Sequence, residues 1–291
     1  MNLLLLTFGP NIKNHYQANF CILSLLARQQ ELAFTAVYVY TDHPEFYRHL
    51  GDYVKIVPLT KDMLQEWKGE HQYLFRIKIK ALEHFIISHG EVPVMYLDSD
   101  TFLYQNTQNL KQLLSDNVAL MHEEEGKLAQ QKSKTVLRMW EMVKGKTFAD
   151  IPITENETMW NSGVIGIPAT RNQEAIQLAL RICDEMLQGK VTSFMLEQFA
   201  VSIALNNIYN LQPAHPSVGH YWAAKDTWNE AISNFFLESK LKAHTIEQDI
   251  ERMRQFNFKA LPIRNKMKNT KLRLQRMLEK LFPPKEVVYL D

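Results

Sequence analysis

The sequence predicts an α/β protein whose mostly parallel central sheet is covered by helices on both faces. Short apolar runs alternate along the chain with stretches of helical periodicity, and this alternation is typical of parallel sheets. The 291 residues, 46% hydrophobic and 22% charged, suffice for one large globular domain or two small ones. One apolar run ends in two acids one residue apart, which places polar chemistry at the carboxyl edge of the predicted sheet.

Most of the predicted sheet lies in the first part of the chain. Leu3 begins an apolar strand that ends at the break Gly9-Pro10-Asn11, and a helix with apolar residues at helical spacing follows. Runs of β-branched and aromatic residues indicate the other strands. We expect strands at 3–8, 34–40, 53–57, 93–97 and 118–121, and helices at 16–30 and 73–88.

The rest of the chain begins with a polar stretch. Residues 122–158 show no clear periodicity, so we expect an irregular, mobile insertion near the site. The run "MWNSGVIGIP" then predicts a strand in which Gly163 and Gly166 allow close backbone approach. Helices follow at about 172–188 and 194–207. From about residue 240 the chain is basic and helical, which divides it into a main domain, 1–240, and a C-terminal segment, 241–291.

Bulk composition argues against several classes of protein. The formal net charge of +1 gives no overall field that attracts nucleic acid. The two cysteines, Cys21 and Cys183, lack zinc-ligand spacing and indicate buried free thiols in a reducing compartment. No apolar run approaches the roughly 18 residues of a spanning helix, and the opening "MNLLLLTFGP" lacks the basic start of a signal peptide. We therefore expect a cytoplasmic protein.

Asp98 and Asp100 follow the apolar run of "VPVMYLDSDTFLY". Two neighbouring carboxylates repel each other unless a cation lies between them, and packing gains nothing from them. Carboxylate oxygens suit Mg²⁺ or Mn²⁺, and two such ligands leave coordination positions open for a diphosphate. The spacing alone is a weak signal, because such pairs also occur by chance on solvated loops.

Two classes of enzyme that act on phosphates use acids in this way. A phosphatase of the haloacid-dehalogenase type carries D-x-D-x-T after its first strand, but here Phe102 occupies the threonine position and the acids come late in the chain. A nucleotide-sugar glycosyltransferase uses the acids to hold a metal ion on the diphosphate of the donor. The position of the acids favours the second class.

The stretch "VMYLDSDTFLY" resembles the metal-binding segment of the glycosyltransferase A fold, particularly in glycosyltransferase family 8, the group of glycogenin and the lipopolysaccharide galactosyltransferases. Other segments resemble that family in the same order: "LTFG…Y", "FRIKIKAL", "WNSGVIGI", "LEQFAVSIALN" and "GHYWAAKDTW". The resemblance covers about residues 2–230. Glu197 replaces the usual aspartate, four residues rather than five separate His220 from Lys225, and the proline of that last element is missing.

The resemblance implies an α/β glycosyltransferase A-type fold and a metal-dependent transfer of sugar from a UDP-sugar to a carbohydrate acceptor. It implies that Asp98, Asp100 and His220 hold Mn²⁺ or Mg²⁺, although His215 competes for the third position. It favours retention at the anomeric carbon, whereas inversion requires a carboxylate base for the acceptor. It also implies that Lys225 neutralises the leaving diphosphate and that Glu197 and Gln198 lie near the donor sugar, with Asp226 as a reserve candidate.

The remaining donor-binding residues come from the same resemblance. It assigns Thr7, Phe8 and Tyr16 to the uridine, Arg76 and Lys78 to the phosphates and ribose, Asp98 and Ser99 to the acidic motif, and Asn161 to the sugar. By residue type alone, other roles are possible. Arg76 and Lys78 also fit a solvated helix face, and Asn161 also fits a turn at the entry of a strand. Glu197 also fits an acid that stabilises the start of a helix through its charge. Aromatic residues close to the motifs fit either the core or a pyranose-stacking role: Trp160, Trp222 and Trp228.

The C-terminal segment combines apolar and basic residues. The apolar residues are Leu272, Met277, Leu278, Leu281 and Phe282, and the basic ones are Lys266, Lys268, Lys271, Arg273, Arg276 and Lys280. Such a helix either lies on an anionic membrane, where it brings the enzyme to a lipid-linked acceptor, or packs on the domain with its charges in water. It lacks the interleaved aromatic residues of a nucleic-acid-binding segment.

Two further alternatives are open. A sugar nucleotidyltransferase shares the predicted fold, but "TFGPNIKNH" lacks the G-x-G-x-R type of triphosphate loop. A non-catalytic carbohydrate-binding protein needs neither a metal ion nor UDP, and the combination of both acids with His220 and Lys225 counts against it.

Overall fold

The computed structural model describes residues 1–264 and 269–282. Its strands are β1 (Asn2–Thr7), β2 (Val37–Thr41), β3 (Lys55–Pro58), β4 (Val94–Leu97), β5 (Thr101–Leu103), β6 (Val118–Lys127), β7 (Thr147–Phe148), β8 (Ile151–Pro152), β9 (Thr158–Ile167), β10 (Asn210–Pro213) and β11 (Val218–His220). Its helices are α1 (Ile12–Ala27), α2 (Gln29–Leu32), α3 (Lys61–Trp67), α4 (Arg76–His89), α5 (Gln108–Ser115), α6 (Lys134–Val143), α7 (Asn172–Gln188), α8 (Leu196–Ile208), α9 (Lys225–Leu241), α10 (Ile246–Arg254) and α11 (Asn269–Leu281).

A seven-stranded sheet forms the centre of the protein, in the order β10-β6-β9-β4-β1-β2-β3. Its strands pair in parallel except β9, which runs antiparallel to both β4 and β6. This confirms the predicted α/β class with a mostly parallel central sheet flanked by helices. The predicted strands fall within a few residues of the observed ones, with β6 much longer than expected.

Helices cover both faces of this sheet, because successive strand residues point to opposite sides. In β1, Leu4 faces the core that α4, α7 and α8 complete, whereas Leu3 and Leu5 face the core that contains α1, α9 and α10. The side chain of Asn11 caps α1 by accepting a hydrogen bond from the backbone N–H of Lys13. The two cores together hold the carboxyl ends of β1 and β4 at one edge of the sheet.

Residues 122–158 form mostly helix and strand, joined by short loops, so the expectation of an irregular insertion is wrong. Strand β6 continues to Lys127 because its polar residues pair with β9, with Glu123 opposite Asn161. Helix α6 follows, and its residues Met139 and Val143, one turn apart, are buried in the same core as Leu128. The polar sequence did not predict this part of β6, because backbone pairing with β9 stabilises it and side-chain burial does not.

A second, two-stranded sheet joins distant parts of the chain. Strand β5 pairs antiparallel with β11, which places His220 opposite Thr101 and Gly219 opposite Phe102. The Phe102 ring stacks on Trp228, at 4.6 Å between centroids, and on Phe258, at 4.5 Å. A Cβ atom on Gly219 would overlap the Phe102 ring, so this pairing requires glycine.

Substitution Gly219→Ala should therefore destabilise the fold. Because the ring of Phe102 is packed by other aromatic rings, it cannot move aside, and we expect a loss of about 1–3 kcal/mol in the free energy of unfolding, measured by urea denaturation. The control is Gly189→Ala, where the nearest side-chain atom, on Phe148, lies 3.7 Å from the added Cβ. An equal effect of both substitutions would contradict the packing explanation.

Candidate metal centre and its cavity

Three candidate metal ligands meet at the carboxyl end of β4. Asp98 and Asp100 follow this strand, and the β5–β11 pairing brings His220 beside them. Backbone hydrogen bonds fix the main chain at both acids: Asp98 N–H donates to Gly163 O at 2.9 Å, and Tyr221 N–H donates to Asp100 O at 3.1 Å. The potential ligand atoms of the two acids and the histidine all lie within 4.8 Å of one another. These residues can hold a divalent cation.

The donor set also fits Mn²⁺ or Mg²⁺ chemically, with two hard carboxylate oxygens and one imidazole nitrogen. His220 Nε2 lies 3.3 Å from Asp100 Oδ1, so this nitrogen faces the acids. His215 is exposed on the loop before β11 and does not join the group. The geometry therefore favours His220 over His215 as the third ligand.

Two side chains hold the Asp100 carboxylate, one at each oxygen. Lys225 Nζ, at the first residue of α9, lies 2.8 Å from Asp100 Oδ2, and His220 faces the other oxygen. Burial alone would raise the pKa of Asp100, but His220 and Lys225 outweigh it and hold this pKa well below its usual range. Asp100 is therefore a permanent anion that attracts cations.

Lys78 is buried behind Asp98 and joins three parts of the site. Its ammonium lies 3.1 Å from Asp98 Oδ1, donates to Ser162 O and Oγ at 3.2 Å, and lies 3.8 Å from Glu197 Oε1. Burial alone would lower the pKa of Lys78, but the carboxylates of Asp98 and Glu197 outweigh it and raise this pKa. Lys78 thus stays charged and compensates carboxylates that would otherwise repel each other.

Glu197 lies deep in the wall of the site. It is 3% exposed, and its Oε2 accepts a hydrogen bond from Ser162 Oγ at 3.2 Å. Among the described residues, its Oε1 finds no hydrogen-bond donor. Burial raises the pKa of Glu197 to about 7. Its neighbour Gln198 instead reaches the cavity beside the metal candidates.

Glu125 is a site residue that the sequence prediction missed. Its carboxylate accepts hydrogen bonds from Gln198 Nε2 at 3.0 Å and from Asn161 Nδ2 at 3.3 Å, and it faces the same cavity as Asp98. The signal that could have found it is its place just beyond the predicted strand 118–121, since ligands collect beyond the carboxyl ends of strands.

A cavity of about 640 Å³ contains these groups. The predicted site residues that line it are Phe8, Lys78, Asp98, Ser99, Asp100, Asn161, Gln198, His220 and Lys225. Its mouth is apolar and exposed, formed by Leu74, Phe75, Phe194 and Trp222. Tyr73 joins this mouth to the start of α8, because its hydroxyl donates to Phe194 O at 3.2 Å and accepts from Glu197 N–H at 3.2 Å.

Other predicted residues do not line this cavity. Thr7 is buried with its hydroxyl 2.6 Å from that of Tyr47, and Tyr16 lines a separate groove beside Phe46. Arg76 makes two hydrogen bonds to Asp184, at 2.7 and 2.9 Å. Residues two apart on a helix point in different directions, so Arg76 leaves the site to which Lys78, two residues later, belongs.

The three tryptophans and Asp226, the reserve candidate, differ in whether they line the cavity. Trp160 and Trp228 are buried in the two cores, whereas Trp222 is 48% exposed at the cavity mouth. Asp226 is exposed in the first turn of α9 and does not line the cavity. Only Trp222 of the three tryptophans is placed to stack on a ligand.

A second cavity, of about 630 Å³, lies on another side of His220. It is lined by histidines, by apolar residues and by charged residues, among them His122, His215, Phe258, Leu261, Glu123, Lys259 and Arg264. Neither Asp98 nor Asp100 reaches it. We therefore assign the candidate chemistry to the cavity that contains the acids.

Comparisons with known proteins give a distant likeness in fold. No protein-family model and no curated protein matches this sequence. Among solved structures, the chain is similar to mouse xyloside xylosyltransferase 1 in its apo form, with a TM-score of 0.46 and 14% sequence identity. The likeness covers 73% of this chain and 85% of that chain. At this identity and TM-score it carries no argument about activity, so the function is argued from the site.

The buried Glu197 should make stability depend on pH. A carboxyl group whose folded pKa is raised to about 7 holds its proton more tightly in the folded state, so its stabilising contribution is present below about pH 4.5 and lost as the pH rises to about 7. The Glu197→Gln variant lacks this loss. Its free energy of unfolding relative to that of wild type should therefore rise by on the order of 2–3 kcal/mol from about pH 5 to about pH 8. Urea denaturation with a chelator present measures this, and a pH-independent difference would contradict it.

Proposed function

We propose that this protein is a metal-dependent glycosyltransferase that moves a sugar from a UDP-sugar to a carbohydrate acceptor with retention of configuration. The observation that carries the proposal is the meeting of Asp98, Asp100, His220 and Lys225 at one cavity. A carboxylate pair, an imidazole and a neighbouring ammonium suit a leaving group that is a metal-bound diphosphate. The ordered resemblance of six segments to family 8 supports the same reaction.

Asp98, Asp100 and His220 would hold Mn²⁺ or Mg²⁺, which supplies positive charge against a diphosphate when it is bound. The rest of the chemistry belongs to the side chains of the protein. The ammonium of Lys225, half-exposed at the start of α9, donates hydrogen bonds to the departing phosphate. Lys78 is already saturated by buried partners, so it orients Asp98 and compensates its charge.

The donor sugar lies in our proposal against Gln198 and Asn161, whose amides line the cavity. Glu197 stands behind them, where its negative charge stabilises the positive charge that develops at the anomeric carbon. Phe8 contacts the uridine from the loop after β1. The predicted roles of Thr7, Tyr16 and Arg76 would require indirect action, because these side chains do not line the cavity.

We propose that the protein acts in the cytoplasm on a lipid-linked acceptor, with peripheral contact to the inner membrane face. Within the described ranges, no helix is long and apolar enough to cross a membrane. Helix α11 presents the exposed apolar residues Leu274, Met277, Leu278 and Leu281 at helical spacing, beside the exposed Arg273, Arg276 and Lys280. Lys266 and Lys268 lie outside the described residues, as do the side chains of Lys271 and Leu272.

Substitution Asp100→Asn should abolish turnover. It removes a metal ligand and the anion that holds Lys225 and His220, so we expect UDP release from a UDP-sugar panel with Mn²⁺ to fall at least ~100-fold. The matched control is Asp226→Asn, which changes an exposed acid that does not line the cavity and should keep wild-type rates. Full activity of the Asp100→Asn variant, or of wild type in chelator, would refute the proposed function.

Substitution Leu278→Glu should weaken membrane binding. Loss of an apolar contact and the added negative charge should lower the fraction that sediments with phosphatidylglycerol-containing vesicles about tenfold. Pure phosphatidylcholine vesicles should bind little wild-type protein, because they lack the anionic charge. The control Leu241→Glu changes an exposed leucine at the end of α9 and should bind as wild type does. Equal binding by both variants would place the contact elsewhere.

A further inference from the structure

A chain of hydrogen bonds leads from Glu125 to the candidate metal ligands. Asn161 Nδ2 donates to Glu125 Oε1 at 3.3 Å, and Asn161 Oδ1 lies 3.0 Å from His220 Nδ1. On the other side of the imidazole, His220 Nε2 lies 3.3 Å from Asp100 Oδ1. The two nitrogens of His220 therefore face different partners, and the ring itself is buried.

The orientation of the Asn161 amide follows from neighbours that have only one possible role. The backbone N–H of Gly163 can only donate, and it lies 3.0 Å from the amide atom that faces His220, so that atom is the oxygen. The carboxylate of Glu125 can only accept when ionised, so the other amide atom is the nitrogen. Because the amide oxygen has no hydrogen to give, His220 Nδ1 must carry the proton.

The surrounding residues keep this arrangement in place. Gln198 Nε2 donates to the second oxygen of Glu125, which fixes the carboxylate. A Cβ atom on Gly163 would overlap the His220 ring, so the imidazole packs directly against the backbone of β9. The ring of His122 meets His220 edge-on, with 5.1 Å between centroids. Backbone, carboxylate and neighbouring ring together leave His220 little freedom to turn over.

We propose that Asn161 and Glu125 are positioning residues that keep a proton on Nδ1 of His220 and so aim Nε2 at the position of a divalent cation beside Asp100. A second partner on the far nitrogen commonly sets both the tautomer and the orientation of a metal-binding histidine. This inference rests on the proposed metal site but not on sugar transfer. It gives Asn161 a second task in addition to the proposed contact with the donor sugar.

The test exchanges the amide at position 161 and the carboxylate at position 125. In Asn161→Asp/Glu125→Gln, the new carboxylate at 161 still accepts from His220 Nδ1–H, while the new amide at 125 donates to it. In Asn161→Leu, a side chain of similar size offers no acceptor. The matched control is Asn172→Leu, because Asn172 is an equally buried asparagine that donates to Gly90 O far from the acids.

The first readout is whether Nδ1 of His220 carries a proton in the metal-free protein, from ¹⁵N NMR, with the His220→Gln spectrum identifying its signals. We expect a protonated Nδ1 in wild type and in the double variant, whereas Asn161→Leu should leave the proton on Nε2, beside Asp100. The second readout is the Kd of Mn²⁺ by electron paramagnetic resonance titration. We expect Asn161→Leu to weaken it ~10–100-fold, the double variant to stay within about threefold of wild type, and Asn172→Leu to match wild type.

An Nδ1 without a proton in wild type, or no Mn²⁺ binding by the wild type, would overturn the inference. A double variant that binds Mn²⁺ as poorly as Asn161→Leu would do the same, because the exchange preserves the acceptor and only a structural role of the native pair would then remain. Both readouts are independent of turnover. If they behave as expected while no UDP-sugar reacts, the proposed function fails and the role of Asn161 stands.

Discussion

The antiparallel pairing of β5 with β11 is the constraint on which the candidate site depends. The acids lie beside β4 in the first half of the chain, and the histidine comes about 120 residues later. Only the register of this short pairing, with His220 opposite Thr101, brings the three side chains together. That register in turn requires Gly219 against the packed Phe102 ring. An aromatic core of the kind that normally serves stability therefore also determines the geometry of the metal candidates.

Electrostatic balance is the second requirement of the site. Among the described residues, the carboxylates of Asp98, Asp100, Glu125 and Glu197 meet only two lysines. Lys78 is buried between Asp98 and Glu197, and Lys225 covers Asp100 from the more exposed side. The excess of negative charge favours a bound cation. Burial, with a smaller contribution from the Asp98 carboxylate, raises the pKa of Glu197. A nucleoside diphosphate without a metal ion would be repelled by this cavity.

The sequence was informative where one residue type had one physical meaning. Apolar runs predicted the strands, and acids at the tip of β4 have little use except chemistry. Glu125 was missed because three consecutive glutamates look like a loop, while backbone pairing with β9 makes them a strand. Helical spacing shows that Arg76 and Lys78 point apart, but only the packing of α4 shows which one enters the site. The depth of Glu197 likewise depends on tertiary packing, which no local pattern records.

The hydroxyl of Tyr73 has a consequence for access to the cavity. It bonds at once to Phe194, at the mouth, and to the backbone of Glu197, in the first turn of α8. Any opening of the mouth that moves Phe194 away from Tyr73 must therefore pull on, or release, the start of the helix that carries Gln198. Opening of the mouth and the alignment of this glutamine are therefore coupled, so the mouth and the interior of the cavity do not change shape independently.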